Sequence, residues 1–559
     1  MIQHLSPISG ISAFKEKWVA TAGYDNQVIL WDAHQKKSVG RIWHDHLANQ
    51  CAFSPCGLFL ATASSDGTAR IFSVPDLKLK AFLGDHEDDV EVVSFHPSRP
   101  LIATASRDRH VRVFGMDGKL IVKFKGHAED VNSVDWIHQS LQLVSSSDDG
   151  TIKCWDMIAG GLVENINMEG VQTDTVVFGR QGSVYAGNDA GEMVAIIGGK
   201  KRTTKAHDAG IKRLVYHREL GLLASMSYDR TLKVWNVNAE GELSSRRTAS
   251  LPSIIWPRSC AFQGTDTLVF GTFGTSYASY NFETDTWLTE GVNPTWGCNA
   301  VAVHQGDIFS VGDAGVVFKN SREHQRLGSL CNFLTSFGEA VLTGGQLGIV
   351  LDAIRNEKIY EHRSPLNCGA TFMKEGRPHA IIGTYTGEGL IFSIDGQKVK
   401  FETVIQLHEN AVKGVACSEE CIFSVCATGA AAFHRIDNFR LESAFRHGHD
   451  KIANGCVRIK GNQFASVSRD RKLRIWDAAS VSVISTPHTH SIKCIAASLD
   501  GNFIATGDYH GTVAIFDRMS GQWRKVERPT ASGISTMTTD ADGNFLASSY
   551  DGHIYTIAT

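Results

Sequence analysis

Short runs in which apolar and polar residues alternate recur along the whole of the 559-residue chain, separated by turns that carry Asp. Alternation with a period of two reads as β-strand with one face buried. One block returns in closely similar form, as ATAGYDNQVILWD, ATASSDGTARIFS, ATASRDRHVRVFG, VSSSDDGTIKCWD, ASMSYDRTLKVWN and ASVSRDRKLRIWD. In every copy an Asp stands six positions before the last large apolar residue, as Asp25 stands before Trp31. That spacing predicts a hairpin of strand, tight turn at Asp, and strand.

The aromatic positions step along the chain as Trp31, Phe72, Phe114 and Trp155, at intervals of 41, 42 and 41, and later as Trp476, Phe516 and Ile557, at 40 and 41. A period of about 40 residues holding several short strands is that of a propeller blade. Weaker copies, with Ala195, Tyr280, Phe318, Leu351, Phe392 and Phe433 at the aromatic position around an intact Trp235, bring the count to fourteen. The WD dipeptides Trp31-Asp32, Trp155-Asp156 and Trp476-Asp477, with the GH dipeptides Gly126-His127 and Gly448-His449, resemble those of the WD-repeat family. The resemblance covers the whole chain, most clearly repeats one to four, six, twelve and thirteen, and implies fold rather than activity. Seven blades close well in that family, so the expected fold is all-β, two tandem seven-bladed WD-repeat β-propellers over residues 1–290 and 291–559. The last repeat stops after its third strand, at HIYTIAT, so its edge is covered by Met1–Gln3 or by the repeat-seven strand near Trp287-Leu288-Thr289, the expected solution, or it stays open to pairing with another chain.

Composition adds mainly exclusions. With 42% hydrophobic and 20% charged residues, essentially all of the chain is expected to fold. A formal net charge of −4 gives no global drive toward nucleic acid or an anionic membrane, so neither is expected as a partner. The N-terminal MIQHLSPISG carries no secretory signal and no run is long enough to span a bilayer, so a cytosolic, cytoplasmic protein is expected. The twelve cysteines follow no framework and read as reduced thiols in strands.

Each clear repeat also places a His about 28 residues before its aromatic. With the Ser two positions before the turn Asp this yields His127, Ser147, Asp149 and Trp155; His207, Ser227, Asp229 and Trp235; and His449, Ser468, Asp470 and Trp476. Each set looks like a catalytic triad, but a triad needs one exposed nucleophile beside an oxyanion hole, and this set repeats blade after blade. The family resemblance implies instead a buried hydrogen-bonded tetrad ending in the indole N–H. Blades two and three, with Phe72 and Phe114, and blade thirteen, with His510 where Asp is due, are expected to hold weaker tetrads. The pairs His44/His46, His447/His449 and His488/His490 each have one member taken by this register and lack a CxxC companion, so neither metal nor cofactor is expected. The basic run Gly198–Lys205 reads as a solvated loop and strand on blade five.

In the WD-repeat family the residue before the turn Asp faces partners around the channel. Here that implies a partner-binding rim of Tyr24, Ser65, Arg107, Asp148 and Tyr228 in the first ring and Arg469, Tyr509 and Tyr550 in the second, residue types that binding hot spots favour. The loops leading into blades three and four add Glu87, Asp88, Asp89, Glu129 and Asp130, which with Asp148 make an acidic crescent suited to a basic segment of another protein. The expected function is a non-catalytic, non-enzymatic scaffold for one or more partner proteins, as part of a larger complex. Two other readings remain open at this point. One is a ligand-binding or enzymatic propeller with its site in the divergent stretch 254–298; the other is an actin-regulating tandem propeller, on architecture alone.

Overall fold

The computed structural model describes residues 2–138, 140–396 and 398–559. Among them the chain is all-β: fourteen antiparallel sheets follow one another, thirteen of four strands and the last of three, with one 3-10 turn at Arg180–Gly182 as the only helical element. We number these sheets as blades one to fourteen. Blade four is typical, with an inner strand Val131–Trp136, then Gln142–Ser147 and Thr151–Asp156, and an outer strand Gly161–Asn167. The two middle strands are covered on both faces by neighbouring blades, so they are built from small and apolar residues and are almost wholly buried. The outer strand meets water and is largely exposed. In the hairpin turn, Gly150 has φ +69, and a Cβ there would lie 2.7 Å from the Gly170 backbone, so only glycine fits.

Apolar packing is divided into slices between successive blades rather than gathered at one centre, as repeat architectures require. Val111, Val113 and Phe124 of blade three, for example, pack with Val131, Trp136 and Trp155 of blade four. The chain divides into two compact units, 1–295 and 296–559, with seven blades in each. In the first unit the inner strands run in a cycle that returns from Ile255–Gln263 to Ile8–Phe14, where the Ile11 N–H donates to Ser259 Oγ at 2.8 Å. In the second unit the cycle returns from Ile534–Thr539 to Cys298–His304, closed by a bond from Ser535 Oγ to the Cys298 carbonyl.

The expected sharing of a repeat-seven strand is corrected. Thr286–Leu288 pairs with Ala278–Asn281 and completes blade seven itself, because the intervening turn is short enough for the strand to fold straight back. The alternative cover, Met1–Gln3, begins at a residue outside those described. Blade fourteen has three strands among the described residues.

Every inner strand slips register directly after its first paired residue. Such a bulge leaves one residue out of the ladder and re-aims its side chain. The bulged residue is Ser9, Asn49, Glu91, Asn132, Asp174 and Lys212 in blades one to six, and a longer segment, Trp256–Ser259, in blade seven. In blades eight to fourteen it is Asn299, Asn332, Asn367, Lys413, Asn454, Lys493 and Ser535. Where it is Asn or Ser it usually stitches its blade to the next one. The amides of Asn332, Asn367 and Asn454 donate to the Leu366, Val412 and Ile492 carbonyls at 2.8, 2.8 and 2.7 Å. Asn49 and Ser9 do the same in the first unit, to Val90 and Ala48.

Candidate functional site: the rims of the two channels

The tetrads come first, because they hold the loops that form the rims. In blade four the Trp155 indole N–H donates to Ser145 Oγ (2.8 Å), the Ser145 hydroxyl lies 2.8 Å from His127 Nε2, and His127 Nδ1 lies 2.8 Å from Asp149. The same chain links Trp235, Ser225, His207 and Asp229, and Trp476, Ser466, His449 and Asp470. The serine assignment from spacing is thereby corrected: Ser145, Ser225 and Ser466 are the members, not Ser147, Ser227 and Ser468. Both candidates lie on the same face of their strand, two residues apart, so spacing alone does not separate them; the indole reaches only the one farther from the turn. The displaced serines cap the turn instead. Ser147 Oγ donates to the Glu129 carbonyl and accepts from the Asp149 N–H, and Ser227 and Ser468 act alike.

Burial pushes the His127 and His449 imidazoles below the usual histidine range, while the Asp149 and Asp470 carboxyls are held far below theirs against burial, chiefly by the histidine hydrogen bond. A buried serine whose oxygen is engaged by both indole and imidazole is no nucleophile. Blade one holds a complete tetrad that spacing missed, His4, Thr21, Asp25 and Trp31, with threonine in the serine role. Blade thirteen is corrected too: Asp508, two residues before the expected position, takes the bond from His488 Nδ1 at 2.9 Å, with Thr506 on Nε2. Blade two runs from Asp66 through His44 to Thr62 and lacks only the indole. In blade three Arg112, wholly buried, takes Asp108, and His86 keeps only its bond to Thr104.

The residues expected at the rim are all partly buried, and each is fixed by its backbone N–H to the loop just before an inner strand: Tyr24 to Pro7, Arg107 to Asp89, Asp148 to Asp130, Tyr228 to Gly210, Arg469 to Ile452, Tyr509, which follows Asp508, to Ser491 and Tyr550 to Gly533. They therefore stand beside the bulged residues, at the channel rims. The acidic crescent is different from the solvated feature that sequence suggests. Only Glu87 is fully exposed; Asp88 and Glu129 are partly buried, Asp89 is 4% exposed, and Asp130 is bound by Arg107. Arg107 also binds the buried Glu91 at 2.5 Å, and Glu91 in turn accepts from Arg258 of blade seven at 3.0 Å. Loop carboxylates fold inward here because a buried guanidinium needs them.

The cluster continues across blades five and six, where Lys212 binds both Asp174 and Asp189 and its ammonium lies 5.1 Å from the Tyr228 ring. Asp89, Glu91, Asp130, Asp148, Asp174 and Asp189 thus share three cations, Arg107, Lys212 and Arg258. The surplus charge shows in the carboxyls. Burial and then neighbouring charge push Asp130 and Asp189 up to about 6, and burial with Asp174 and Asp130 pushes Asp148 well above the usual range. Glu91, Asp174 and Asp189 were not picked out from sequence; two of them occupy the bulge, whose position shows only once the strand register is known.

In the stretch 254–298, Trp256 lies edge-on to Tyr24, with ring centroids 5.1 Å apart, and 5.4 Å from Phe273, under the Arg258 guanidinium. Its divergence has a structural source in the longer bulge of blade seven. The run Lys200–Lys205 is an exposed outer strand.

Comparison with known proteins agrees with this geometry. The family model for the WD domain, G-beta repeat, matches residues 2–32, 37–73, 77–115, 118–156, 198–236 and 481–517. The chain is 29% identical over 181 residues, 28% of its length, to the nuclear distribution protein nudF of Aspergillus niger, and 25% identical over 137 residues, 24% of its length, to the apoptotic protease-activating factor 1 of Rattus norvegicus. The matched stretches span 31% and 11% of those two proteins. WD repeats generally mediate contacts between proteins. With its repeated hairpins and His-to-Asp tetrads, the chain carries WD repeats over the matched stretches and is similar there to these WD-repeat proteins.

Proposed function

We propose that this protein is a non-catalytic scaffold built as two seven-bladed propellers, and that the first propeller docks a basic segment of a partner protein at its acidic rim. The observation that carries this reading is the unmatched negative charge of that rim, six carboxylates around three cations, with Asp130, Asp148 and Asp189 held protonated to unusually high pH. An arriving lysine or arginine would supply the missing cation and let those carboxyls ionise. Tyr24 and Tyr228, on either side of the cluster, present rigid amphipathic rings as anchors.

The test uses a fluorescent lysine-rich peptide and the full chain, with association and dissociation followed at two ionic strengths. Asp148→Asn with Glu87→Gln is expected to slow association several-fold and flatten its salt dependence. Tyr228→Ala is expected to act mainly on dissociation. Unchanged association in the double variant would remove the first rim from consideration.

A further inference from the structure

The second unit encloses a cavity of about 560 Å³ along its axis, lined by inner strands of all seven blades. That is within the usual range for a small-molecule site. Its chemistry is the reverse of the first rim. Lys413 and Lys493 face it from the bulges of blades eleven and thirteen, and among the described residues no Asp or Glu lines it. Asp313 of blade eight is buried and accepts from Asn299.

Two further observations point to a missing anion. Lys493 is half-buried, yet among the described residues it has no ion pair and no hydrogen bond, although an ammonium withdrawn from water normally finds an acceptor. The two lysines also act on one place: burial pushes the Cys368 thiol of blade ten up to about 12, and both ammonium groups pull it back. The surrounding asparagine amides do not compete for a ligand, since Asn332, Asn367 and Asn454 spend theirs on the next blade.

We infer that the axial cavity of the second unit binds a small phosphorylated molecule, with Lys413 and Lys493 as the cations that hold it. Two compact ammonium groups opposed by no lining carboxylate suit a phosphate dianion, whereas bidentate recognition of a carboxylate favours arginine. This site lies in the other unit from the proposed docking rim and does not rest on it.

Isothermal titration of the full chain with glucose 6-phosphate tests it, with a hexaglutamate peptide as the competing anion class. Saturable one-to-one binding is expected, weakened about tenfold in Lys493→Ala, restored in Lys493→Arg, and weakened likewise in Lys413→Ala. Lys200→Ala with Lys201→Ala, on the exposed strand of blade five, is expected to bind as the parent does. Three results would overturn the inference: no saturation at millimolar concentration, equal binding by the Lys493→Ala and Lys413→Ala variants, or tight binding of hexaglutamate without binding of the phosphate ester. Lys493 has no side-chain hydrogen bond or ion pair among the described residues, whereas the Lys413 ammonium lies 4.5 Å from the Tyr385 ring, so unchanged far-ultraviolet circular dichroism is required of both variants.

Discussion

The two units place the same backbone device, a one-residue bulge at the start of each inner strand, and use it in opposite ways. In the second unit four of seven bulges carry asparagine, each tied to a carbonyl of the next blade, and Lys413 and Lys493 hold two of the others, so the rim is stitched by amides and carries no bulge carboxylate. In the first unit blades three, five and six put Glu91, Asp174 and Lys212 there, and adjacent blades are joined by charge instead: Arg107 to Asp130, and Lys212 to Asp174. An amide stitch satisfies both partners completely. The charged version leaves negative charge over, which architecture does not require. Surplus of that kind is what supports the proposed docking role of the first rim.

The largest effect should come from removing the cation on which the first rim depends. Arg107→Met keeps bulk but leaves Glu91, Asp89 and Asp130 facing one another in a poorly hydrated rim, and breaking one side of such a network costs roughly 3 kcal/mol. Calorimetry should show the first unit melting well before the second. A loss no larger than that of a surface substitution would mean that water reaches the rim freely and that the comparison between the two units fails.

Within single blades the tetrads sharpen the same point about neutral, fully satisfied networks. Ser145→Ala strips the oxygen that serves both the Trp155 indole and His127, and about 2 kcal/mol should be lost from blade four. Ser147→Ala removes only a turn cap and should cost about 1 kcal/mol or less. Ser466→Ala and Ser468→Ala should repeat that order in blade twelve. Native-state hydrogen exchange at the two hairpins reads both pairs; a reversed order would restore the spacing-based assignment.

A single stitch is a smaller matter. Asn454→Ala leaves the Ile492 carbonyl without its donor at a rim that water can enter, so about 1 kcal/mol is the expected loss, seen as faster exchange in blades twelve and thirteen. If it matched the Arg107 variant, charge would not distinguish the rims.

The blades were legible because alternation and a period of about 40 residues are properties of the chain itself, as were the His, Asp and Trp of the tetrads. The serine was not, since residues i and i+2 share a strand face and Ser145 and Ser147 look equivalent until the indole position is known. Asp508 escaped because the hairpin turn of blade thirteen is built differently, so counting from Phe516 landed on His510. The rim was half legible. Its turn residues follow from the hairpin, but Glu91, Asp174 and Lys212 owe their direction to a slip in register that no pattern of polarity announces. The inward turn of Asp89 and Asp130 depends on Arg107, a partner more than one loop away.

Acidification gives the subtlest comparison, because the rim carboxyls and the buried histidines respond with opposite sign. Burial pushes Asp130 and Asp189 up to about 6 in the folded chain and raises Asp148 well above the ordinary carboxylate value of 3.8. The folded state therefore holds more protons than the unfolded chain between about pH 4 and 6, and stability from these groups falls as pH rises through that window and returns as pH is lowered. The buried histidines act the other way. His408 is pushed down to about 4 by burial and His449 below its usual 6.5, so below pH 6.5 the unfolded chain takes up protons that the folded chain refuses, and each such group costs up to about 1.4 kcal/mol per pH unit. The Asp108 and Asp229 carboxyls are held down to about 2, so their stabilisation is lost only in stronger acid. Going from pH 7 to pH 5, the first unit should lose little, because its rim offsets His127 and His86, while blades eleven and twelve, with Lys413 and Asn454 at their bulges, have no such offset there. Hydrogen exchange at the two pH values, corrected for intrinsic rates, should show protection falling in blades eleven and twelve before blades three to five. Equal loss in both regions would mean that the rim carboxyls titrate normally, and with them would go the case for a charge surplus in the first unit.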